Sequence, residues 1–232
     1  MLLLFDIDGT LLHGAAQAHQ DAMNEALRIV HRVDADRVPL RLSAAGRTDP
    51  EIARAILLAA GISAERIDDR GPDVREECCR AYAHLCPADL SHTVLPGVPE
   101  VLEWLDGLSS VTLGLLTGNY EPVARLKLAR AGIGRYFPSG QGAFGSDAED
   151  RAALPAIARR RAGRVGAPNR REQTVVIGDT PRDIACAQAD GVRCLAVATG
   201  PFGTDELGQA DLVASDVREM RGALEGLLTA VA

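Results

Sequence analysis

The chain has 232 residues, enough to bury a full core without disulfides and suited to one large domain carrying an insertion. Its 32 acidic residues outnumber 25 basic ones, and the resulting net charge of −7 disfavours a general nucleic-acid or anionic-membrane binder. Hydrophobic residues make up 47%, which excludes a disordered chain, and the five cysteines are odd in number with no CxxC, which predicts reduced thiols and a cytoplasmic protein.

The first element is the apolar run Leu2–Phe5. It has no basic flank and stops at Asp6, which predicts a buried strand and no signal peptide. No later run approaches the ~18 apolar residues of a membrane span. Between residues 14 and 92 the pattern turns helical. Ala22, Ala26, Leu27, Ile29, Val30 and Val33 mark one helix. Asp49-Pro50 opens a second, with Ile52, Ile56 and Leu57 inward and Gly61 past its end. A third is expected from Pro72 to Cys86, and the chain returns near Leu95-Pro96-Gly97. A helical stripe follows at Val98, Val101, Leu102, Leu105 and Leu108. Three more short apolar runs then end in polar residues: Val111–Leu116 at Thr117, Thr174–Ile177 at Asp179, and Val192–Ala198 at Thr199. Helices are expected between them, one from Pro122 to Gly132 and one from Pro181 to Gly191. Strands alternating with helices predict an α/β fold with a parallel sheet, whose ligand site lies at the carboxyl ends of the strands. Asp6, Thr117 and Asp179 all fall there.

Those ends carry a set of carboxylates. Asp6 and Asp8 follow the first strand, and Asp179 and Asp183 a later one. Two carboxylates ~4 Å apart repel by about 4 kcal/mol at an effective dielectric of 20, so a convergent group needs protons or a cation. An all-oxygen site with few protein ligands suits Mg²⁺, which also binds substrate phosphate. Asp6 could then attack phosphorus and form an acyl-phosphate. Asp8 could protonate the leaving oxygen and later deprotonate water. Thr117, Gly118 and Asn119 and one cationic side chain would hold the phosphoryl oxygens. Each residue also has a plainer reading. Asp8-Gly9-Thr10 is common turn chemistry. Asp183 fits a capping box with Thr180 as well as it fits a metal site. Thr117-Gly118-Asn119 is also a plausible helix start.

Together these residues identify the sequence as resembling the haloacid dehalogenase (HAD) superfamily, in its phosphoglycolate phosphatase-like type. Asp6-Ile-Asp8-Gly9-Thr10-Leu11 fits the first motif, Leu116-Thr117-Gly118-Asn119 the second, and Gly178-Asp179-Thr180-Pro181-Arg182-Asp183 the acidic fourth. The resemblance spans essentially the whole chain. It implies a Rossmann-like core at 1–13 and 93–232 and an α-helical cap at 14–92. It also implies Asp6 as nucleophile, Asp8 as acid/base, and Mg²⁺ held by Asp6, the Asp8 carbonyl and Asp179, with Asp183 in support. Residues 12–16 and 92–96 are the candidate hinges. The third motif departs from the family pattern, because its usual lysine is replaced by Arg151. Lys127, the chain's single lysine, falls inside a helix and reads as a surface residue. Arginine can bridge phosphate and carboxylate through its fork, so Arg151 takes the phosphate-binding role.

The expected activity is Mg²⁺-dependent hydrolysis of a small phosphorylated metabolite. A phosphotransferase resembling β-phosphoglucomutase and a silent binding protein on the same fold are the alternatives. A dehalogenase needs no acid two residues after its nucleophile, and a Schiff-base phosphonatase needs a cap lysine that residues 14–92 lack. Arg47 either contacts substrate or sits at the surface beside Asp49 as helix cap. Arg159, Arg160, Arg161, Arg164, Arg170 and Arg171 read as a solvated face, since aromatics at 3% do not support a nucleic-acid patch. The five histidines show no metal-ligand spacing, and Trp104 reads as a packing anchor.

Overall fold

The computed structural model describes residues 1–164 and 166–229. Its strands are β1 (Leu2–Phe5), β2 (Thr112–Thr117), β3 (Ala143–Phe144), β4 (Thr174–Gly178), β5 (Arg193–Val197) and β6 (Leu212–Ala214). They form one parallel sheet in the order β3-β2-β1-β4-β5-β6. The fold is the α/β, Rossmann-like class expected. All four residues of β1 are buried, because the strand lies between β2 and β4 with helices on both faces. Side chains alternate along it. Leu3 and Phe5 pack into a core with Val101, Leu102, Val123 and Leu224, whereas Leu2 and Leu4 pack with Leu154, Ala158, Ile184 and Ala187.

The helices are α1 (Gln17–His31), α2 (Asp49–Ala59), α3 (Ala64–Leu85), α4 (Val98–Asp106), α5 (Glu121–Arg130), α6 (Leu154–Ala162), α7 (Pro181–Asp190) and α8 (Val217–Thr229). Proline stands in the first turn of α2, α4, α5, α6 and α7, where its missing N–H has no intrahelical acceptor to lose. Residues 14–92 contribute α1, α2 and α3 and no strand. The two connections to this segment lie side by side: His13 N–H donates to the Thr93 carbonyl at 2.7 Å and Leu95 N–H to the Leu11 carbonyl at 3.0 Å.

Four details correct the sequence expectations. Helix α3 starts at Ala64, not Pro72. Ser63 caps it by accepting the Arg66 N–H, and Pro72 is accommodated inside the helix. Its first two turns bury only Ile67, too little for a visible apolar stripe. Strands β3 and β6 were not anticipated: β3 has two residues, and Leu212 and Val213 of β6 are exposed. The cap of α2 is Thr48 rather than Asp49, whose carboxylate is drawn off to α5. Arg159 is not part of a solvated face. It is buried and makes a two-pronged ion pair with Asp190 at 2.6 and 2.9 Å, pinning α6 to α7. Trp104 packs on the core with the Arg221 guanidinium over its ring.

Candidate active site

The register of the sheet brings the predicted residues together. Phe5 pairs with Leu115 on one side and Ile177 on the other, so Asp6, Thr117 and Asp179 emerge from three adjacent strands. Asp6 N–H donates to the Ile177 carbonyl at 2.9 Å, which extends the ladder and holds the Asp6 backbone. After Asp8 the chain turns at Gly9, with φ of +89°, and a Cβ there would collide with the Asp179 carboxylate. Glycine is required at this turn on both counts.

Asp6, Asp179 and Asp183 are buried, with one carboxylate oxygen from each within 4.8 Å of the others. The cation facing them is Arg151, just before α6. Its Nη2 lies 3.4 Å from Asp6 and donates to Asp183 and, at 3.5 Å, to the Leu116 carbonyl. Arg151 Nε is buried without a hydrogen-bond partner. One guanidinium does not balance three carboxylates. Burial pushes Asp6 up to about 7, with Asp183 and Asp8 adding to the rise and Arg151 opposing it. Burial and then the neighbouring Asp6 and Asp183 push Asp179 up to about 8, against the 3.2 Å hydrogen bond from Thr10. Asp183 does form the capping box: its carboxylate accepts from Thr180 N–H at 3.0 Å and Thr180 Oγ1 at 2.7 Å, while also meeting Arg151.

The other side of Asp6 is built differently. Lys127 of α5 is not a surface lysine: it is fully buried, with Nζ 2.9 and 2.8 Å from the two Asp8 oxygens and 2.8 Å from Asn119 Oδ1. Asn119 Nδ2 donates to Asp8 at 3.1 Å and to Thr117 Oγ1 at 3.1 Å. Burial alone would raise Asp8, but the charge and hydrogen bonds of Lys127 outweigh it and hold the carboxyl below its ordinary range. This position was missed because the helical pattern gives no partner. A signal was available, since a chain with 25 basic residues uses lysine only here.

The start of α2 meets the loop after β2. Asp49 N–H donates to the Gly118 carbonyl at 2.8 Å, and the Asp49 carboxylate accepts from Tyr120 N–H at 2.7 Å. A Cβ on Gly118 would run into the Arg47 carbonyl, so this contact also demands glycine. His19 of α1, another residue the spacing did not reveal, lies 3.0 Å from Asp49. Arg47 is held by Glu51 and the Ser43 carbonyl and lines the rim without reaching the carboxylates. A cavity of about 430 Å³ runs from Asp6, Asp8, Thr117 and Arg151 into the helical segment.

Comparisons with known proteins follow the same lines. The family model of haloacid dehalogenase-like hydrolases matches residues 1–191. A phosphoglycolate phosphatase of Rhodospirillum rubrum is 30% identical over 204 residues, covering 85% of this chain and 79% of that protein. One from Pseudomonas fluorescens is 29% identical, covering 86% and 70%. Among solved structures, a β-phosphoglucomutase of Clostridium difficile superposes with a TM-score of 0.72 at 16% identity, over 99% of this chain and 98% of that one. A hydrolase of Pseudomonas syringae gives 0.67 at 23% identity, over 97% and 98%.

Proposed function

The chain belongs to the haloacid dehalogenase-like hydrolases, and from this membership we propose that it is a Mg²⁺-dependent phosphatase of small phosphorylated metabolites working through a phospho-aspartate on Asp6. The observation that carries the reading is the setting of Asp6, between the orphaned donor of Arg151 and a group of carboxylates with too little positive charge. A phosphoryl oxygen would give Arg151 Nε its missing acceptor. Thr117 Oγ1 already accepts from Asn119, so its hydroxyl proton is free for a second phosphoryl oxygen.

The donor set fits Mg²⁺: buried carboxylates, all oxygen, two of them pushed well above the ordinary range by burial and each other. Asp6, the Asp8 carbonyl and Asp179 would hold the ion. Asp183 faces Arg151 and Thr180 and would support the shell from behind. When bound, the ion neutralises phosphate charge and lets Asp6 approach as the anion.

In the first step an Asp6 carboxylate oxygen attacks phosphorus, and the bond from phosphorus to the leaving oxygen breaks. Asp8, whose carboxyl Lys127 holds low in the free protein, takes up a proton as the phosphate charge arrives beside it and passes that proton to the leaving oxygen. In the second step Asp8 takes a proton from water, the water oxygen bonds to phosphorus, and the bond to Asp6 breaks. Lys127 and Asn119 hold the Asp8 carboxylate in one orientation for both steps. Residues 14–92 act as a cap over this site, moving on the paired connections 12–16 and 92–96 to admit substrate and exclude water. The cytoplasmic placement is supported by five free cysteines, and no helix among the described residues is long and apolar enough to cross a membrane.

The test is inorganic phosphate release from acetyl phosphate with and without Mg²⁺, combined with trapping of the labelled intermediate. Mg²⁺-dependent release with acid-stable, base-labile label on Asp6 is expected. Release without label on Asp6 would defeat the proposal.

A further inference from the structure

The cavity above Asp6 has two unlike ends. The floor is polar and holds Asp6, Thr117 and Arg151. The far wall, supplied by α1, α2 and the loop between them, carries Met23, Val38, Leu42, Ile52 and Ile56. The last four are only half-buried, so their apolar surface faces the opening rather than the core. At about 430 Å³ the space falls in the ~300–1,000 Å³ range of pockets that enclose drug-sized molecules, and a phosphorylated two-carbon acid fills only a fraction of it.

Charge narrows the choice further. Once Arg151 is assigned to the phosphoryl group, a second anionic group needs another cation. Among the described residues around the cavity, each remaining cationic side chain is already engaged. Arg47 is tied to Glu51 and the Ser43 carbonyl, Lys127 to Asp8 and Asn119, and His19 to Asp49. The ionic group on the far side is Asp36, which is negative. A carboxylate placed there would lose water and gain repulsion. A polyol would set its hydroxyls against Val38, Leu42, Ile52 and Ile56, whereas hydrocarbon would gain from covering them.

Resting on the phosphatase reading above, we propose that the substrate is a phosphomonoester of an uncharged, predominantly apolar alcohol larger than two carbons, seated against the wall of Val38, Leu42, Ile52 and Ile56. Gln20 and Asn24 at the rim accept at most a few hydroxyls. Arg47 is the gate against anions, closed by Glu51.

The experiment measures kcat/KM of the Mg²⁺-loaded full chain on acetyl phosphate, hexyl phosphate, glucose 6-phosphate and phosphoglycolate. The last three have alkyl leaving groups, so differences among them report binding of the alcohol part. Hexyl phosphate is expected to exceed phosphoglycolate and glucose 6-phosphate by about tenfold or more. Ile56→Asn should lower the ratio of hexyl phosphate to phosphoglycolate several-fold. Glu51→Gln, which releases the Arg47 guanidinium, should lower the same ratio by raising turnover of phosphoglycolate. Turnover of acetyl phosphate with phosphoglycolate or glucose 6-phosphate preferred overturns the substrate class and leaves the phosphatase standing. No Mg²⁺-dependent turnover of any of the four overturns both.

Discussion

The two carboxylates of the first motif are two residues apart and live under opposite electrostatics. Asp6 faces Asp179 and Asp183 with one arginine among them, and burial drives its carboxyl up to about 7. Asp8 faces the buried ammonium of Lys127, which keeps its carboxyl below the ordinary range. One half of the site lacks positive charge. The other half is balanced from within the chain. A cation taken up on the first side would leave the orientation of Asp8 on the second undisturbed.

The largest test of this contrast removes the proposed nucleophile. Asp6→Asn should lower kcat by ~10³-fold or more, because the proposed phospho-aspartate forms on Asp6. It should also leave the metal-free fold intact or firmer, since one of three crowded charges is gone. A folded variant, checked by far-UV circular dichroism, that keeps a tenth of wild-type turnover would remove Asp6 from the proposed role.

Breaking the balanced half should be costly in a different way. Lys127→Met leaves Asp8 without its cation; Asp8 is half-buried at the cavity and can draw on water, so the cost falls to about 1–3 kcal/mol. For a chain of this size that is a fall in Tm of several degrees. The chemical signature separates positioning from mere stability. Without Lys127 the Asp8 carboxyl rises but loses its fixed orientation, so hydrolysis of alkyl phosphates, which needs proton donation from a placed Asp8, should still fall further than hydrolysis of p-nitrophenyl phosphate, which does not. Adding Asp8→Asn should restore part of the stability lost, as expected of directly coupled residues. Equal losses on both substrates would deny the positioning role.

The unbalanced half predicts a pH dependence. Asp6 and Asp179 have folded-state values of about 7 and 8, above the ordinary 3.8, so the folded protein binds protons more tightly than the unfolded chain. The stability this provides is fully present below about pH 4 and is lost as pH rises through 7 and 8. Stability of the metal-free protein should therefore fall between pH 5.5 and 8.5 by on the order of 5 kcal/mol, and its Tm with it. Mg²⁺ competes with those protons, so the stabilisation it gives should grow with pH. Thermal melts at fixed Mg²⁺ across the range measure it, and a pH-independent Mg²⁺ effect would contradict the charge deficit.

How far the sequence reaches follows the same division. Asp6, Thr117 and Asp179 were legible because each ends a short apolar run, and parallel strands align their ends. The edge strands were not, since two residues at Ala143–Phe144 carry no period and Leu212 and Val213 face outward. Lys127 was misread for a deeper reason. Its partner Asp8 lies 119 positions away, and helical periodicity reports a face, not what the face meets. Arg159 was misread likewise, its place in an arginine run hiding a buried pairing with Asp190.

The smallest effect expected separates the two roles of Asp183, which are structurally superimposed. Its carboxylate completes the capping box of α7 and also stands beside Arg151 and the metal-competent pair. Asn can still accept from Thr180 N–H and Oγ1, so Asp183→Asn should keep the cap; Arg151 loses this buried partner but keeps Asp6 3.4 Å away, which limits the fall in Tm of the metal-free protein to several degrees. Removing the charge should raise the Mg²⁺ concentration for half-maximal activity by ~10-fold, the scale of lost outer support at a metal site. Asp183→Ala adds the loss of the cap, about 1 kcal/mol, on top of the same Mg²⁺ shift. If Asn leaves the Mg²⁺ requirement unchanged while Ala destabilises, Asp183 serves the helix alone, and the charge deficit at Asp6 and Asp179 must draw the ion without it.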